Sequence, residues 1–296
     1  MISGPRKLRP TPGILQPKPK RLPKRNRMTL AIGMLCEDGL LFVADTRLYY
    51  PDGSVGEGIK LKAFESGTGV IAIVQSSDDF HAGESLVAEL REELKGNPPK
   101  SRLDFVAIAK KVMGDWYVPV YENRPSVQLL IGFLLPPQEW GFYFCEPPNT
   151  VTFLHDKYKA IGDARVITDP IYTAWFDNGP LSSPHIVLCQ AAFMMHKAKK
   201  LHPGSVGGDT DAALLVKGSG NPLFIKRLDM RDAEGRGENL DGLLSRFAAI
   251  IMGNSSNGPE DISQMGQQIF EYDLDYTKLE FHCQFPDKTI RRKLFT

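Results

Sequence analysis

Thr29-Leu30-Ala31-Ile32-Gly33-Met34-Leu35-Cys36-Glu37-Asp38-Gly39-Leu40-Leu41-Phe42-Val43-Ala44-Asp45-Thr46-Arg47 is the stretch whose reading decides the fold. Residues 29–37 form an apolar segment of strand length, Asp38-Gly39 is a strong hairpin signal, and residues 40–46 return as a second buried strand. The expectation is a hairpin with its turn at Glu37-Asp38-Gly39. The Pro and Gly punctuation from Tyr49 to Gly58 reads as a loop. KLKAFE (60–65), the turn Ser66-Gly67-Thr68-Gly69 and VIAIVQS (70–76) then make a second hairpin.

Beyond Ser77 the apolar period lengthens. Phe80, Gly83, Leu86, Val87, Leu90 and Leu94 fall on one helical face, and Ser101 with Asp104 opens a second helix through Phe105, Ile108, Ala109 and Val112. Strand signals resume at 127–135, 141–146, 150–155 and 158–162. Helices follow near 166–177 and 185–201, then strands at 212–217 and 223–228. This order predicts an α+β fold, a four-layer αββα sandwich with two sheets between two helical layers. After it, residues 231–238 read as a polar linker, 239–252 as an amphipathic helix and 278–285 as a strand. The expected organisation is an arm over 1–28, a main domain over 29–230 and an extension of that domain over 231–296.

Upstream of Thr29 the chemistry changes. Residues 1–28 hold nine Lys or Arg, six Pro and no acidic residue, while the rest of the 296-residue chain carries 27 basic against 35 acidic groups. Six prolines oppose a helix or an inner strand, so the arm is expected to be disordered. It reads either as a propeptide or as an upstream extension of a chain that starts at Met28. The acidic body argues against nucleic acid as a partner. No apolar run reaches the roughly 18–20 residues of a membrane helix, and the first residues lack the continuous apolar stretch of a secretory signal, so the expected compartment is the cytoplasm. Cys36, Cys145, Cys189 and Cys283 are far apart, each in or beside an apolar run, and read as buried thiols. The six histidines show no zinc spacing, and Asp209-Thr210-Asp211 reads as a polar turn before a strand rather than as a calcium loop.

The opening stretch resembles the start of proteasome β-type subunits, in which a mature Thr leads an apolar strand to a D-G turn and back to an A-D-T/S-R motif, here Ala44-Asp45-Thr46-Arg47. The Thr-to-Asp distance is kept without a gap. Lys60, followed by Leu61 and Phe64, takes the place of the active-site lysine if one residue is deleted from the loop before it. The likeness runs over about residues 29–217 and is greatest to the bacterial Anbu-type proteasome homologues. Those also begin Met-Thr, carry an Ile-Gly-acidic segment like Ile161-Gly162-Asp163, and have a Ser-Val-Gly motif like Ser205-Val206-Gly207. The serine and aspartate assignments of the β subunits do not transfer, because Asp163 and the segment from Pro203 to Val206 stand at those places.

The resemblance implies an N-terminal-nucleophile hydrolase, a threonine-type peptidase with Thr29 as nucleophile, Asp45 and Lys60 as its catalytic partners, and Asp163 and Ser205 in support. An amino-terminal Thr supplies its own α-amine as base, with a pKa of about 7.7–8.0. The oxyanion donor is expected at the backbone N–H of Gln75 or Ser76, with the Gln75 side chain narrowing the cleft. The implied partners are peptide or unfolded protein and further copies of the chain in a ring or helical stack. No metal or other cofactor is required. Two rivals stay open: a non-catalytic proteasome-like subunit and an amidase of the same fold acting on a small molecule.

Overall fold

The computed structural model describes residues 29–50, 52–67, 69–117, 125–137, 139–177, 180–251 and 282–284. The basic arm lies outside them, as does most of the strand expected over 278–285. One sheet has the order β10-β1-β2-β11-β12-β13, formed by Tyr158–Ile161, Ala31–Cys36, Gly39–Asp45, Thr210–Val216, Leu223–Ile225 and Cys283–Gln284. The other runs β5-β6-β7-β8-β9, formed by Leu61–Ser66, Gly69–Ser77, Val127–Leu135, Glu139–Glu146 and Thr150–Phe153. All their pairings are antiparallel.

Strand alternation sorts the apolar residues into three cores. Leu40, Phe42 and Ala44 of β2 face Val70, Ala72 and Val74 of β6 across the gap between the sheets. Leu41 and Val43 point the other way, against α3 (Arg165–Trp175), α4 (Pro184–Leu201) and α5 (Arg227–Ile251). Ile71 and Ile73 likewise meet α1 (Phe80–Gly96) and α2 (Arg102–Tyr117). Three cores between four layers give the expected αββα sandwich. The starts of α1 and α2 carry side-chain caps: Asp79 accepts from the N–H groups of His81 and Ala82, and, as the sequence indicates, Ser101 Oγ accepts from Asp104 N–H.

Four details depart from expectation. Cys36 pairs directly with Gly39, so the first hairpin closes through Glu37 and Asp38, and neither has a positive φ. Gly39 is needed for space instead: a Cβ there would lie 1.8 Å from the Leu215 carbonyl oxygen on β11. The segment expected as a loop from Tyr49 to Gly58 instead supplies β4 (Val55–Glu57), which pairs with β3 (Arg47–Tyr49) in a small ribbon. The strand expected to reach residue 228 stops at Ile225. Finally, residues 231–238 are not a linker but lie within α5, which therefore crosses the expected boundary at residue 230. Charged residues and two glycines obscured the helix, whose apolar stripe of Met230 and Ala233 is buried against the α4 layer.

Cys36, Cys145 and Cys189 are buried, and none of them is in a disulfide. Burial pushes Cys36 up to about 11 and Cys189 up to about 12, so neither is a thiolate near neutral pH. Among the described residues no helix is long and apolar enough to cross a membrane.

Candidate active site

The β1–β2 register brings the first residues of the hairpin beside its last. Ala31 opposes Ala44, so Leu30 opposes Asp45, and Asp45 N–H donates to the Leu30 carbonyl at 3.2 Å. The Asp45 side chain answers this contact, with Oδ1 accepting from Leu30 N–H at 3.0 Å and from Thr29 Oγ1 at 2.8 Å. Lys60, the residue just before β5, reaches across from the other sheet and donates from Nζ to the same Oδ1 at 2.8 Å. One carboxylate oxygen is thus shared by a hydroxyl, a backbone amide and an ammonium. The second oxygen, Oδ2, accepts from Gly207 N–H at 3.2 Å.

All three side chains are out of solvent: Asp45 is 0%, Thr29 2% and Lys60 3% exposed. A buried charge persists only when paired and hydrogen-bonded, and this ion pair is both. Lys60 Nζ makes a further bond, at 2.6 Å, to the Arg47 carbonyl. Desolvation holds the Lys60 pKa below that of an ordinary lysine, with the Asp45 charge opposing the shift. The ammonium is therefore more acidic than a surface lysine and sits one hydrogen bond from the oxygen that also holds the Thr29 hydroxyl.

Gly162 fixes the other side of Thr29. Its φ is +95°, and a Cβ there would lie 2.1 Å from the Thr29 carbonyl oxygen, so both the conformation and the close approach require glycine. Asp163 follows it and is half-buried. Ser205 is buried, with Oγ bonded to His202 Nδ1, two residues before Gly207. These two expected supporting residues belong to the segments that wall the site, and Ser205 directs its hydroxyl toward His202.

The expected oxyanion donors do not fit their role. Gln75 N–H is committed to the Lys60 carbonyl at 3.1 Å, and antiparallel alternation turns the Ser76 N–H toward β7. The Gln75 side chain faces α1, where its Oε1 would lie 2.3 Å from a Cβ on Gly83, so it does not narrow a cleft beside Thr29. Ser76 Oγ is buried without a hydrogen-bond partner. Alternation aims it between the sheets, with Val74 and Ala72.

The residues that sequence reasoning missed act mostly through their backbone. The Arg47 carbonyl and the Gly207 and Leu30 amides complete the polar shell, and a side-chain motif cannot reveal them. Arg47 also ties the α4–β11 loop to the site, because its Nη1 donates to the Pro203 carbonyl at 2.9 Å and its N–H to the Gly207 carbonyl at 3.2 Å. Among the described residues no group of three or more His, Cys, Asp or Glu is arranged to hold a metal ion.

The four-layer αββα sandwich, with Thr29, Asp45 and Lys60 gathered where its first strands begin and end, is a proteasome-like fold. Among solved structures it is shared by Anbu proteins. A Gly-1 mutant of Anbu from Hyphomicrobium sp. strain MC1 superposes with a TM-score of 0.62 at 15% identity, over 74% of this chain and 96% of that one. Anbu from Yersinia bercovieri, described as an ancestral beta-subunit, gives 0.62 at 16% identity, over 74% and 97%. The Anbu complex from Pseudomonas aeruginosa, a helical assembly, gives 0.61 at 14% identity, over 78% and 98%. No family model matches the chain, and no curated protein matches it in sequence. Likeness at these identities shows the fold.

Proposed function

We propose that the chain is a threonine-type hydrolase that cleaves peptide bonds in peptides or unfolded protein, with Thr29 as nucleophile once it is the amino-terminal residue. The observation that carries this reading is the shared oxygen: Asp45 Oδ1 holds both the Thr29 hydroxyl and the Lys60 ammonium at 2.8 Å. An ordinary strand threonine has no need of a buried Asp–Lys pair at its hydroxyl.

The freed α-amine of Thr29 takes the hydroxyl proton as Oγ1 attacks the substrate carbonyl. It returns that proton to the leaving amine, so the peptide C–N bond breaks and an ester to Thr29 remains. The amine then deprotonates a water that hydrolyses the ester. Lys60, charged and fixed by Asp45, opposes protonation of the amine and stabilises negative charge on Oγ1. While Thr29 is joined to Met28 its nitrogen is an amide and cannot act as the base. Assembly with further copies of the chain and a cytoplasmic site of action belong to the same reading. The helical assembly of the Pseudomonas aeruginosa Anbu complex supports self-assembly.

The near-complete burial of Thr29 favours a second reading, a non-catalytic subunit that keeps its arm. Intact mass and amino-terminal sequence of the native protein separate the two. A chain starting at Thr29 that hydrolyses a peptide panel is the expected result, whereas a retained arm and silence on every peptide would select the structural subunit. Activity on one small amide alone would select the amidase.

A further inference from the structure

Asp209-Thr210-Asp211, a polar turn by its sequence, is held residue by residue from one stripe of α5. Arg231 Nε donates to Asp209 Oδ1 at 2.7 Å, Glu234 Oε1 accepts from Thr210 Oγ1, and Arg227 Nε donates to Asp211 Oδ1 at 2.7 Å. Positions 227, 231 and 234 are spaced i, i+4 and i+7 and share a helix face. Lys199 of α4 closes the group, with Nζ 2.9 Å from Thr210 Oγ1 and 2.8 Å from Glu234 Oε2.

The segment so held is the one that reaches the candidate active site. Asp209 N–H donates to Thr46 Oγ1 at 2.8 Å, Thr210 pairs with Asp45 across the β2–β11 ladder, and Gly207 N–H bonds Asp45 Oδ2. Asp211 and Arg227 also line a cavity of about 470 Å³ with Ile59 and Leu61, the two chain neighbours of Lys60.

We propose that Arg227, Arg231 and Glu234 are positioning residues: α5 fixes residues 207–211 so that Gly207 N–H holds Oδ2 of Asp45 and thereby sets Oδ1 between Thr29 and Lys60. The geometric part stands on these contacts alone; the effect on turnover rests on the threonine-hydrolase reading. A carboxylate gripped at only one oxygen can swing, and small misplacements of a catalytic group cost much rate. Electrostatics adds a second readout. The charged groups that act on Lys60 are Asp45 from β2, Arg47 from β3 and Asp211 from β11. Removing Arg227 leaves Asp211 without its guanidinium, which favours protonated amines at the site and moves the acid limb of the rate profile to higher pH.

The test uses the whole chain from Thr29 onward, with Arg227→Gln and Arg231→Gln together, at side chains 42% and 57% exposed. Amide exchange at Gly207 and Asp209 is expected to speed up by about 10-fold while β1 and β7 keep their protection. On a cleaved peptide, kcat is expected to fall by about 10-fold with KM nearly unchanged, and the acid limb to shift upward. Arg227→Lys with Arg231→Lys, which keeps both charges, restores part of each effect. Unchanged exchange at Gly207, or equal loss of protection in every strand, would overturn the proposal. So would faster exchange with kcat and the acid limb unaltered. Exchange needs no turnover, so a wild-type protein that hydrolyses nothing defeats the hydrolase reading and leaves the clamp to be decided by Gly207.

Discussion

Two sets of carboxylates meet cations in this molecule under opposite conditions. Asp45 and Lys60 are 0% and 3% exposed, whereas Asp209 and Asp211 are 16% and 17% exposed and their arginines, Arg231 and Arg227, 57% and 42%. At the half-exposed edge, water and salt compete with each contact, and a pair contributes at most about 1 kcal/mol. Inside, removing one partner strands the other charge, at a cost of about 3–5 kcal/mol. On the proposed reading the inner pair serves chemistry and the outer ones serve alignment, and substitutions should separate these roles.

The largest expected effect is on turnover. Thr29→Ala removes the proposed nucleophile and should lower peptide hydrolysis by about 10³-fold or more, yet cost only about 1 kcal/mol in urea unfolding for the lost bond to Asp45. Lys60→Met breaks both properties at once. Hydrolysis should drop by about 10²-fold, and unfolding free energy should fall by about 3–5 kcal/mol because Asp45 stays buried without its cation.

Gly162→Ala comes next, since its Cβ would need the space of the Thr29 carbonyl oxygen at a φ of +95°. Thermal unfolding should show a loss of about 1–3 kcal/mol, and displacement of Thr29 should slow hydrolysis as well. Titration gives a smaller contrast. The folded Lys60 pKa lies below its ordinary value, 10.5. Between the two, the unfolded chain holds a proton that the folded one lacks, so the Lys60 contribution rises with pH and levels off above the ordinary value. Unfolding free energy measured across that interval should climb less steeply in Lys60→Met than in the wild type. Smallest of all, Arg231→Ala alone should shift unfolding by about 1 kcal/mol or less, with the loss disappearing in high salt.

The inner region was far more legible in the sequence than the outer one. Thr29 and Asp45 lie at the two ends of one hairpin, so an unbroken apolar, turn, apolar pattern brings them together. Lys60 was placed by resemblance, because nothing local says that a lysine ahead of a strand crosses to the facing sheet. Gly207 N–H stayed hidden: it is 162 residues from Asp45 in the chain, and its contribution is a backbone amide. The oxyanion expectation at Gln75 failed for a related reason, since only the β5–β6 register shows that its N–H is already committed to Lys60. In α5 the surface residues determined the misreading. Two glycines and a run of charges resemble a linker, while the stripe that makes the helix, Met230 and Ala233, is short and depends on α4 for its burial. The four-layer order was readable because each change of apolar period coincides with a change of layer.

The most direct test of the account is the intact mass of a chain beginning at Thr29, taken during turnover of an activated peptide ester. A transient acyl adduct that maps to Thr29 and is absent from Thr29→Ala is the expected result. Hydrolysis that continues in Thr29→Ala, with no adduct on Thr29, would contradict it.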